Sequence, residues 1–310
     1  MTTTNAGQGK GAEEGATRAG FVALVGLPNA GKSTLLNALV GEHLAAVSRK
    51  PQTTRHRIPG FRTDATTQYV FADTPGLLDP AGALQQSMLD TALSALEGVD
   101  AICWLVDHDR PTPREEELLR RLGGARIPLF LLLTKSDQVP AAKLEAREAT
   151  WEERGAWSGR FRVSAVTGEG LSELLAALRK RLPEQPFFYP ADDLTDLNLR
   201  FLAAELVREA CYEELGAELP YSVHVEVTEW RESATARDKT LVRATIYVER
   251  ESQKGIVIGA GGRKLGEIGR RARGSIETLI GGPVYLELWV KVRAKWSRRV
   301  QDLRFFGYRG

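Results

Sequence analysis

The nine-residue stretch Gly26-Leu27-Pro28-Asn29-Ala30-Gly31-Lys32-Ser33-Thr34 constrains the fold of this 310-residue chain more than any other feature. An apolar run at residues 21–25 predicts a buried strand before it, and residues 35–39 have a helical pattern after it. A strand, the motif G-x-x-x-x-G-K-[ST] and a helix, in this order, are typical of a phosphate-binding loop. Backbone N–H groups of such a loop and the N-terminus of its helix attract phosphate oxygens. The stretch therefore predicts a nucleoside triphosphate site rather than a plain glycine turn.

The neighbouring polar residues are suited to a triphosphate with its metal ion. Lys32 can reach the β- and γ-phosphates, and Ser33 presents a hydroxyl to Mg²⁺. The polar loop at residues 41–57 contains threonines that can approach the γ-phosphate and so sense hydrolysis. A predicted strand ends at Asp73, whose carboxylate suits the outer shell of Mg²⁺. The backbone N–H of Gly76 can bond the γ-phosphate.

Residues that can recognise the base follow a second apolar strand at residues 128–133. A carboxylate at Asp137 can accept hydrogen bonds from both N1–H and N2–H₂ of guanine, and adenine lacks that pair of donors. The Lys135 stem can lie over the base, and Ser164-Ala165 can offer backbone N–H groups to the guanine O6. These residues favour GTP. They argue against the alternative of an ATP-using enzyme whose second domain binds protein.

Strands alternate with helices over residues 20–182, which predicts an α/β fold with a doubly wound, mostly parallel sheet. Ligands on such sheets bind at the carboxyl ends of the strands, and every motif above follows a strand end. A proline-rich segment, residues 183–190, marks a domain boundary. We predict a disordered tail at residues 1–18, a nucleotide-binding domain at 19–183, a linker at 184–196 and a smaller α+β domain at 197–310. The last helix of that domain is predicted from about Ala294 to Phe305.

The net charge of +2 is unevenly distributed along the chain. Residues 1–240 contain 27 basic and 34 acidic residues, whereas residues 241–310 contain 15 basic and only 6 acidic ones. A basic C-terminal segment suits a polyanionic partner, because basic side chains neutralise phosphates and so release their condensed counterions. A solvated charged surface explains the charge equally well, so the charge alone does not decide.

A G-x-x-G motif, Gly259 to Gly262, lies inside this basic segment between two short predicted helices. Such a loop brings the backbone close to single-stranded nucleic acid, while Ile256 and Ile258 form the floor of a groove and basic side chains meet the phosphates. The residues predicted to contact RNA are Lys254, Ile256, Ile258, Gly259, Ala260, Gly261, Gly262, Arg263, Lys264 and Arg270.

Composition and hydropathy predict a cytoplasmic protein. Cys103 and Cys211 are isolated in apolar surroundings, as is typical of buried thiols in a reducing compartment. No apolar run approaches the ~18 residues that a membrane helix needs. Aromatic residues among the C-terminal positive charges leave peripheral membrane association as an alternative, although at this spacing such residues are more often core residues. These aromatic residues are Trp289, Trp296, Phe305 and Phe306.

Taken together, the motifs resemble those of the Era family of bacterial GTPases, which carry a C-terminal type II KH domain. The resemblance is closest at residues 51–58 and 254–262 and covers nearly everything from residue 20 to 310. It implies a P-loop GTPase with GTP/GDP and Mg²⁺ as ligands. It also implies binding of the 3′ region of small-subunit (16S) ribosomal RNA during assembly of the 30S subunit. The implied nucleotide contacts are Gly26, Asn29, Ala30, Gly31, Lys32, Ser33, Thr34, Thr134, Lys135, Asp137, Ser164 and Ala165.

The resemblance also assigns the chemistry. Lys32, Thr54, Asp73 and Gly76 would serve hydrolysis, and the metal ligands would be Ser33, Thr54 and Asp73. Thr53, next to Thr54, is not excluded as the switch threonine. Leu77 stands where Ras-type enzymes place a water-orienting glutamine, so slow intrinsic turnover is expected. Asn29 leaves open a K⁺ ion in place of an arginine finger.

The chain departs from the family pattern at two positions. Thr134 replaces an asparagine, which is expected to cost nucleotide affinity rather than specificity because a hydroxyl can still bridge neighbouring loops. Ala260 replaces a lysine in the G-x-x-G loop, which removes a phosphate contact that Arg263 and Lys264 can replace. Two functional hypotheses stay open: an enzyme defined by hydrolysis, and an RNA-binding protein in which the nucleotide is only a switch.

Overall fold

The computed structural model describes residues 16–308, except residues 49, 125, 217, 218, 234, 236 and 237. Most of the predicted N-terminal tail, residues 1–15, lies outside the described residues. The first strand begins at Arg18, one residue before the predicted start of the first domain. The elements form two lobes, each built on its own sheet.

The first lobe is a six-stranded sheet with helices on both faces. Its strand order is β2-β3-β1-β4-β5-β6, with only β2 antiparallel to its neighbour. This arrangement confirms the predicted doubly wound, mostly parallel sheet. Its elements are β1 (Arg18–Gly26), α1 (Lys32–Val40), β2 (Ile58–Thr63), β3 (Thr67–Asp73), α2 (Ala83–Ser94), β4 (Ala101–Val106), α3 (Pro113–Leu122), β5 (Leu129–Thr134), α4 (Ala141–Glu152), β6 (Trp157–Val163) and α5 (Leu171–Arg179).

The apolar strands of this sheet are buried on both faces. Along β4, Cys103 and Leu105 join the core cluster on one face, and Ile102 and Trp104 join the cluster on the other. Alternate side chains of a strand point to opposite faces, so a sheet covered by helices on both sides needs apolar residues throughout. Because these strands are parallel, their carboxyl ends lie at one edge of the sheet, where the loops that follow β1, β3, β5 and β6 meet.

The second lobe is a three-stranded sheet with helices on one face. Its strand order is β7-β8-β9, with β7 antiparallel and β9 parallel to β8. Val242 and Ile246 of β8 pack against Ile268 in its core. This lobe agrees with the predicted KH domain. Its elements are α6 (Leu199–Glu214), β7 (His224–Arg231), β8 (Thr240–Val248), α7 (Glu251–Ile258), α8 (Arg263–Ile280), β9 (Val284–Val292) and α9 (Val300–Phe305).

Two helix predictions in this lobe were wrong. The last helix was expected from Ala294 to Phe305, but α9 begins only at Val300, after a 3₁₀ turn. Lys295 has a left-handed backbone with φ of 55°, and the buried Trp296 donates its indole N–H to the Ser222 carbonyl at 3.0 Å. Burial of this aromatic ring therefore outweighs helix continuation. The helix after the G-x-x-G motif, α8, is long rather than short, with 18 residues.

The segment after α5 runs along the first sheet before it enters the second lobe. Gln185 N donates to the Thr17 carbonyl at 3.0 Å, and Phe61 N donates to the Leu194 carbonyl at 2.7 Å. The Tyr189 ring stacks on Phe61 with 3.9 Å between centroids. The proline-rich segment is thus fastened to the first lobe, and the linker boundaries at residues 184–196 stay a prediction.

A small apolar cluster joins the lobes. Leu84 and Met88 of α2 pack with Trp296, Leu303 and Phe306 from the end of the chain.

Within the described residues, no helix has the length and apolar character needed to cross a bilayer.

Candidate nucleotide and RNA sites

The phosphate-binding loop connects β1 to α1, and glycine is required at one position inside it and at one that packs against it. Gly31 precedes α1 with φ of 92°, a left-handed conformation that glycine adopts without penalty. At Gly76, an added Cβ would lie 2.5 Å from the Pro28 nitrogen. The segment after β3 thus lies directly against the loop, as a backbone contact with the end of a triphosphate requires.

Lys32 is buried in this loop and its ammonium is held by carbonyl groups. Its Nζ donates to the carbonyl oxygens of Gly26 at 3.1 Å and Leu27 at 2.8 Å. Burial lowers the pKa of Lys32 to about 8, against the opposing attraction of Asp73 and Asp107. A buried ammonium bonded to neutral carbonyls favours an anion beside it. Phosphate oxygens would supply that anion.

Ser33, Thr54 and Asp73 come together from three separate segments. The Ser33 and Thr54 hydroxyl oxygens are 2.7 Å apart, and they donate to Asp73 Oδ2 at 2.6 and 3.1 Å respectively. Thr53 instead donates its hydroxyl to the Lys50 carbonyl at 2.9 Å. The structure therefore places Thr54, and not Thr53, beside the other two predicted metal ligands.

These three side chains fit a small divalent cation. Burial raises the pKa of Asp73, although Lys32 and the two hydroxyls oppose the shift. Its Oδ1 is buried without a hydrogen-bond partner among the described residues. An unsatisfied carboxylate oxygen beside two hydroxyls matches the oxygen ligands that Mg²⁺ takes alongside substrate phosphates. In the described part of the chain, no three His, Cys, Asp or Glu residues form an alternative metal cluster.

Thr134 links the base-recognition segment to the phosphate loop. Its hydroxyl is 2.8 Å from the Ala30 carbonyl and 3.2 Å from the Val106 carbonyl at the end of β4. The hydroxyl that replaces the usual asparagine thus bridges the two neighbouring loops, as expected. Lys135 follows with a left-handed backbone and pairs with Asp107 at 2.7 Å.

Two adjoining cavities contain the predicted nucleotide residues. The larger one, of about 540 Å³, is lined by Lys32, Ser33, Thr54 and Gly76, among others. The smaller one, of about 120 Å³, is lined by residues that include Thr134, Asp137, Val163 and Ala165. Residues common to both linings join them into one cleft. The shared lining residues are Gly31, Thr34, Lys135 and Gln138.

The remaining predicted nucleotide residues line or support this cleft. Asn29 lines the larger cavity, and Ala30 accepts the Thr134 hydroxyl through its carbonyl. Gly26 accepts hydrogen bonds from Lys32 and from the backbone of Leu77. Ser164 is buried and its hydroxyl accepts from Thr167 N at 3.1 Å, which shapes the turn that carries Ala165.

Sequence reasoning missed several residues that line the cleft or bond to the residues that form it. Asp107 follows β4, next to the strand that carries Lys135, so the parallel sheet order contains a signal for their pairing. Its hydrogen bonds to His108 and Lys135 lower its pKa to about 2, although burial alone would raise it. Glu169 accepts the Ser136 hydroxyl at 2.6 Å, and Glu213 of α6 lines the larger cavity. Their sequence surroundings contain no signal for either role.

The G-x-x-G motif forms a tight exposed turn between α7 and α8. Gly259, Gly261 and Gly262 all have positive φ, at 71°, 60° and 78°. A Cβ at Gly259 would lie 2.6 Å from Lys264 Cβ, whereas a Cβ at Gly261 or Gly262 would meet nothing within 4 Å. The first glycine is thus required by packing, and the other two leave the backbone open to a ligand.

The side chains around this turn differ in exposure. Ile256 is 56% exposed, whereas Ile258 packs partly against the core of the second lobe. Arg263 donates to the Ala260 carbonyl at 3.3 Å, and Lys264 pairs with Glu267 at 2.6 Å. The other predicted RNA-contacting residues are Lys254, which is half-buried, and Arg270, which is exposed. Ile256 is thus open to a ligand and Ile258 is partly covered, and the groove floor formed by the two isoleucines stays a prediction.

The C-terminal aromatic residues divide into two groups. Trp296 and Phe306 are core residues, whereas Trp289 and Phe305 are 56% and 59% exposed. Exposure alone does not identify a membrane, so peripheral membrane association stays a prediction.

The two lobes match two known families. Residues 21–135 match a family described as 50S ribosome-binding GTPase, and residues 218–297 match the KH domain family. These ranges contain the phosphate loop and the G-x-x-G turn respectively. The matches agree with the assignment of one site to each lobe.

Full-length relatives share both lobes. The chain is 41% identical over 292 residues to GTPase Era from Geobacter metallireducens, covering 94% of this chain and 98% of that protein. It is 42% identical over 296 residues to GTPase Era from Pseudomonas fluorescens, with 94% and 97% covered.

Two solved structures have the same arrangement. A variant of Aquifex aeolicus Era bound to GDP·AlF4⁻ is 37% identical and superposes with a TM-score of 0.89, covering 94% of this chain and 99% of that one. An Era structure in complex with MgGDPNP and nucleotides 1506–1542 of 16S ribosomal RNA gives the same identity, TM-score and coverage.

Proposed function

The chain belongs to the Era family of GTPases, and from that premise we propose that it hydrolyses GTP to GDP and phosphate. It also binds single-stranded 16S ribosomal RNA near its 3′ end, in assembly of the 30S subunit in the cytoplasm. The observation that carries this proposal is the continuous cleft of the first lobe, which joins the phosphate cavity to a base cavity that includes Asp137. The second lobe carries an open G-x-x-G turn in a basic segment. The relative solved with both ligands supports the pairing of these two activities.

The hydrolysis site works mainly by positioning and electrostatics. The amides of the phosphate loop and the buried ammonium of Lys32 would hold the β- and γ-phosphates, and the N–H of Gly76 would contact the γ-phosphate. Ser33, Thr54 and Asp73 would hold Mg²⁺, which neutralises charge that develops on the phosphates. Leu77 is 2% exposed and packs in the core, so it orients no water, and intrinsic turnover is expected to be slow.

A K⁺ ion held partly by Asn29 would supply the missing positive charge. Asn29 lines the phosphate cavity with a φ of 63°. Phosphate release from GTP should be roughly tenfold or more faster in K⁺ than in Na⁺ buffer, a modest part of the 10³–10⁵-fold that an arginine finger supplies. Asn29→Ala should remove the difference. Equal rates of the wild-type protein in the two buffers would eliminate the ion from the mechanism.

RNA would bind along the turn from Gly259 to Gly262. About four unpaired nucleotides fit such a loop, with bases over Ile256 and phosphates near the loop amides and basic side chains. A labelled oligomer with the 3′-terminal sequence of the small-subunit RNA should bind the full chain roughly tenfold or more tighter than a scrambled oligomer. Its affinity should fall with salt. Equal affinity for both oligomers in fluorescence anisotropy would contradict sequence-specific binding of this RNA.

A further inference from the structure

Arg55 follows the switch threonine directly and extends into the second lobe. Its side chain is 1% exposed. Nη1 donates to the Val223 carbonyl at 2.7 Å, and Nη2 donates to the carbonyls of Pro220 at 3.1 Å and Tyr221 at 3.0 Å. A residue of the first lobe thus satisfies three main-chain acceptors just before β7.

Aromatic side chains complete this guanidinium site. Arg55 Nη2 has two hydrogens and shares them among the two carbonyls and the Tyr212 hydroxyl, which lies at 3.1 Å, and Nη1 is 3.5 Å from the Tyr308 hydroxyl. The guanidinium carbon lies 5.8 Å from the centre of the Trp296 ring. A buried charge is costly unless it is surrounded by acceptors. The carbonyls, phenols and indole around Arg55 therefore form a specific socket for its fork-shaped head.

A second tether lies on the other side of the threonine pair. The Lys50 ammonium donates to the carbonyls of Tyr212 and Leu215, the latter at 2.5 Å, at the end of α6. A cation at a helix C-terminus is stabilised by the helix dipole. The Tyr212 hydroxyl donates to the Gln52 carbonyl at 2.9 Å. The switch segment, residues 50–55, is thus fastened to the second lobe both before and after Thr53 and Thr54.

The tethered segment presents Thr54 to the metal site. The Thr54 hydroxyl lies 2.7 Å from Ser33 Oγ and 3.1 Å from Asp73 Oδ2, and only one peptide bond separates it from Arg55. We propose that Arg55 is a positioning residue for the GTPase reaction: its insertion into the second lobe holds Thr54 in the orientation that contacts Mg²⁺ and the γ-phosphate. This inference rests on the proposed function of the same cleft. By linkage, a bound Mg²⁺·GTP stabilises the Arg55 contact to the same extent.

The test compares nucleotide states in the full-length chain. Arg55→Ala should raise the Mg²⁺ concentration needed for half-maximal binding of a non-hydrolysable GTP analogue by roughly tenfold, within the range typical of coupled sites. GDP affinity should change less than about twofold, because the switch threonine engages only the triphosphate state. Adding Thr54→Ala to Arg55→Ala should cause little further loss, since both changes remove one shared contact.

The matched control is Arg62→Ala. Arg62 also donates to a carbonyl, that of Leu39 at 2.8 Å, but this bond lies within the first lobe. The Arg62→Ala variant should leave the affinities for the GTP analogue and for GDP unchanged. Equal loss of GTP-analogue and GDP affinity in Arg55→Ala, no loss of either, or full additivity with Thr54→Ala would overturn the inference.

Failure of the positioning role can be distinguished from failure of the proposed function. If Arg55→Ala does not fold, Lys50→Met replaces it: selective weakening of the GTP analogue supports the coupling, and unselective or absent weakening overturns it. If the wild-type protein shows no Mg²⁺-dependent binding of the GTP analogue, the proposed function fails. If the wild type binds and the variants are unselective, only the positioning role fails.

Discussion

Asp137→Asn should lower GTP affinity by roughly 10²–10³-fold, because two charge-assisted hydrogen bonds to guanine are weakened or lost. Asp137 is exposed at the rim of the base cavity, so its replacement removes no packing. Xanthine carries a carbonyl where guanine carries the 2-amino group, and the asparagine amide can donate to that carbonyl. XTP affinity should therefore rise in the same variant. Competition binding with GTP, XTP and ATP measures all three affinities.

Asp192→Asn is the control for this exchange. Asp192 is exposed in the segment between the lobes and lines neither cavity. The same loss of charge there should leave the order of nucleotide preference unchanged. An Asp137→Asn protein that still prefers GTP to XTP would remove Asp137 from base recognition.

Gly261→Asp should reduce the affinity for the 3′-terminal RNA oligomer by roughly 100-fold or more at low salt, because a new carboxylate would face the RNA phosphates. Gly261 has φ of 60° and open space where a Cβ would stand. Aspartate tolerates this left-handed conformation at modest cost, so the lobe should stay folded. GTP-analogue affinity should be unchanged, since the turn lines no part of the nucleotide cleft. Anisotropy measures the RNA affinity.

Gly274→Asp adds the same charge to α8, the helix that follows the turn. Gly274 is exposed, a Cβ there would meet nothing within 4 Å, and it lies roughly 16 Å beyond the first residue of α8. It should weaken RNA binding far less than Gly261→Asp. Retained RNA affinity in the Gly261 variant would place the RNA groove elsewhere.

The first lobe was largely predictable because its signals are local. The apolar run before the phosphate loop and the run before Thr134 are buried strands, each within three residues of the predicted bounds at either end. The phosphate loop combines fixed spacing with flanking structure, so its motif specifies both a fold and a ligand. The G-x-x-G motif was recognised in the same way, and the turn has positive φ at all three of its glycines.

The contacts between the lobes were not predictable, because they depend on tertiary packing. The left-handed backbone of Lys295 interrupts a helix-like pattern, and Trp296 after it fills the interface. Arg55 looks like any basic loop residue until its socket is assembled from Tyr212, Tyr308 and three carbonyls of the second lobe. Residues that act through long-range contacts leave no period or spacing in the sequence.

We propose that the first lobe selects guanine triphosphate through the joined cavities. The most direct test is the ratio of GTP to ATP analogue affinities of the wild-type protein in Mg²⁺ buffer, measured by calorimetric titration. We expect the affinity for the GTP analogue to exceed that for the ATP analogue by roughly 100-fold or more, because Asp137 accepts two hydrogen bonds that only guanine can donate. Equal affinities for the two analogues would exclude this selection by the first lobe.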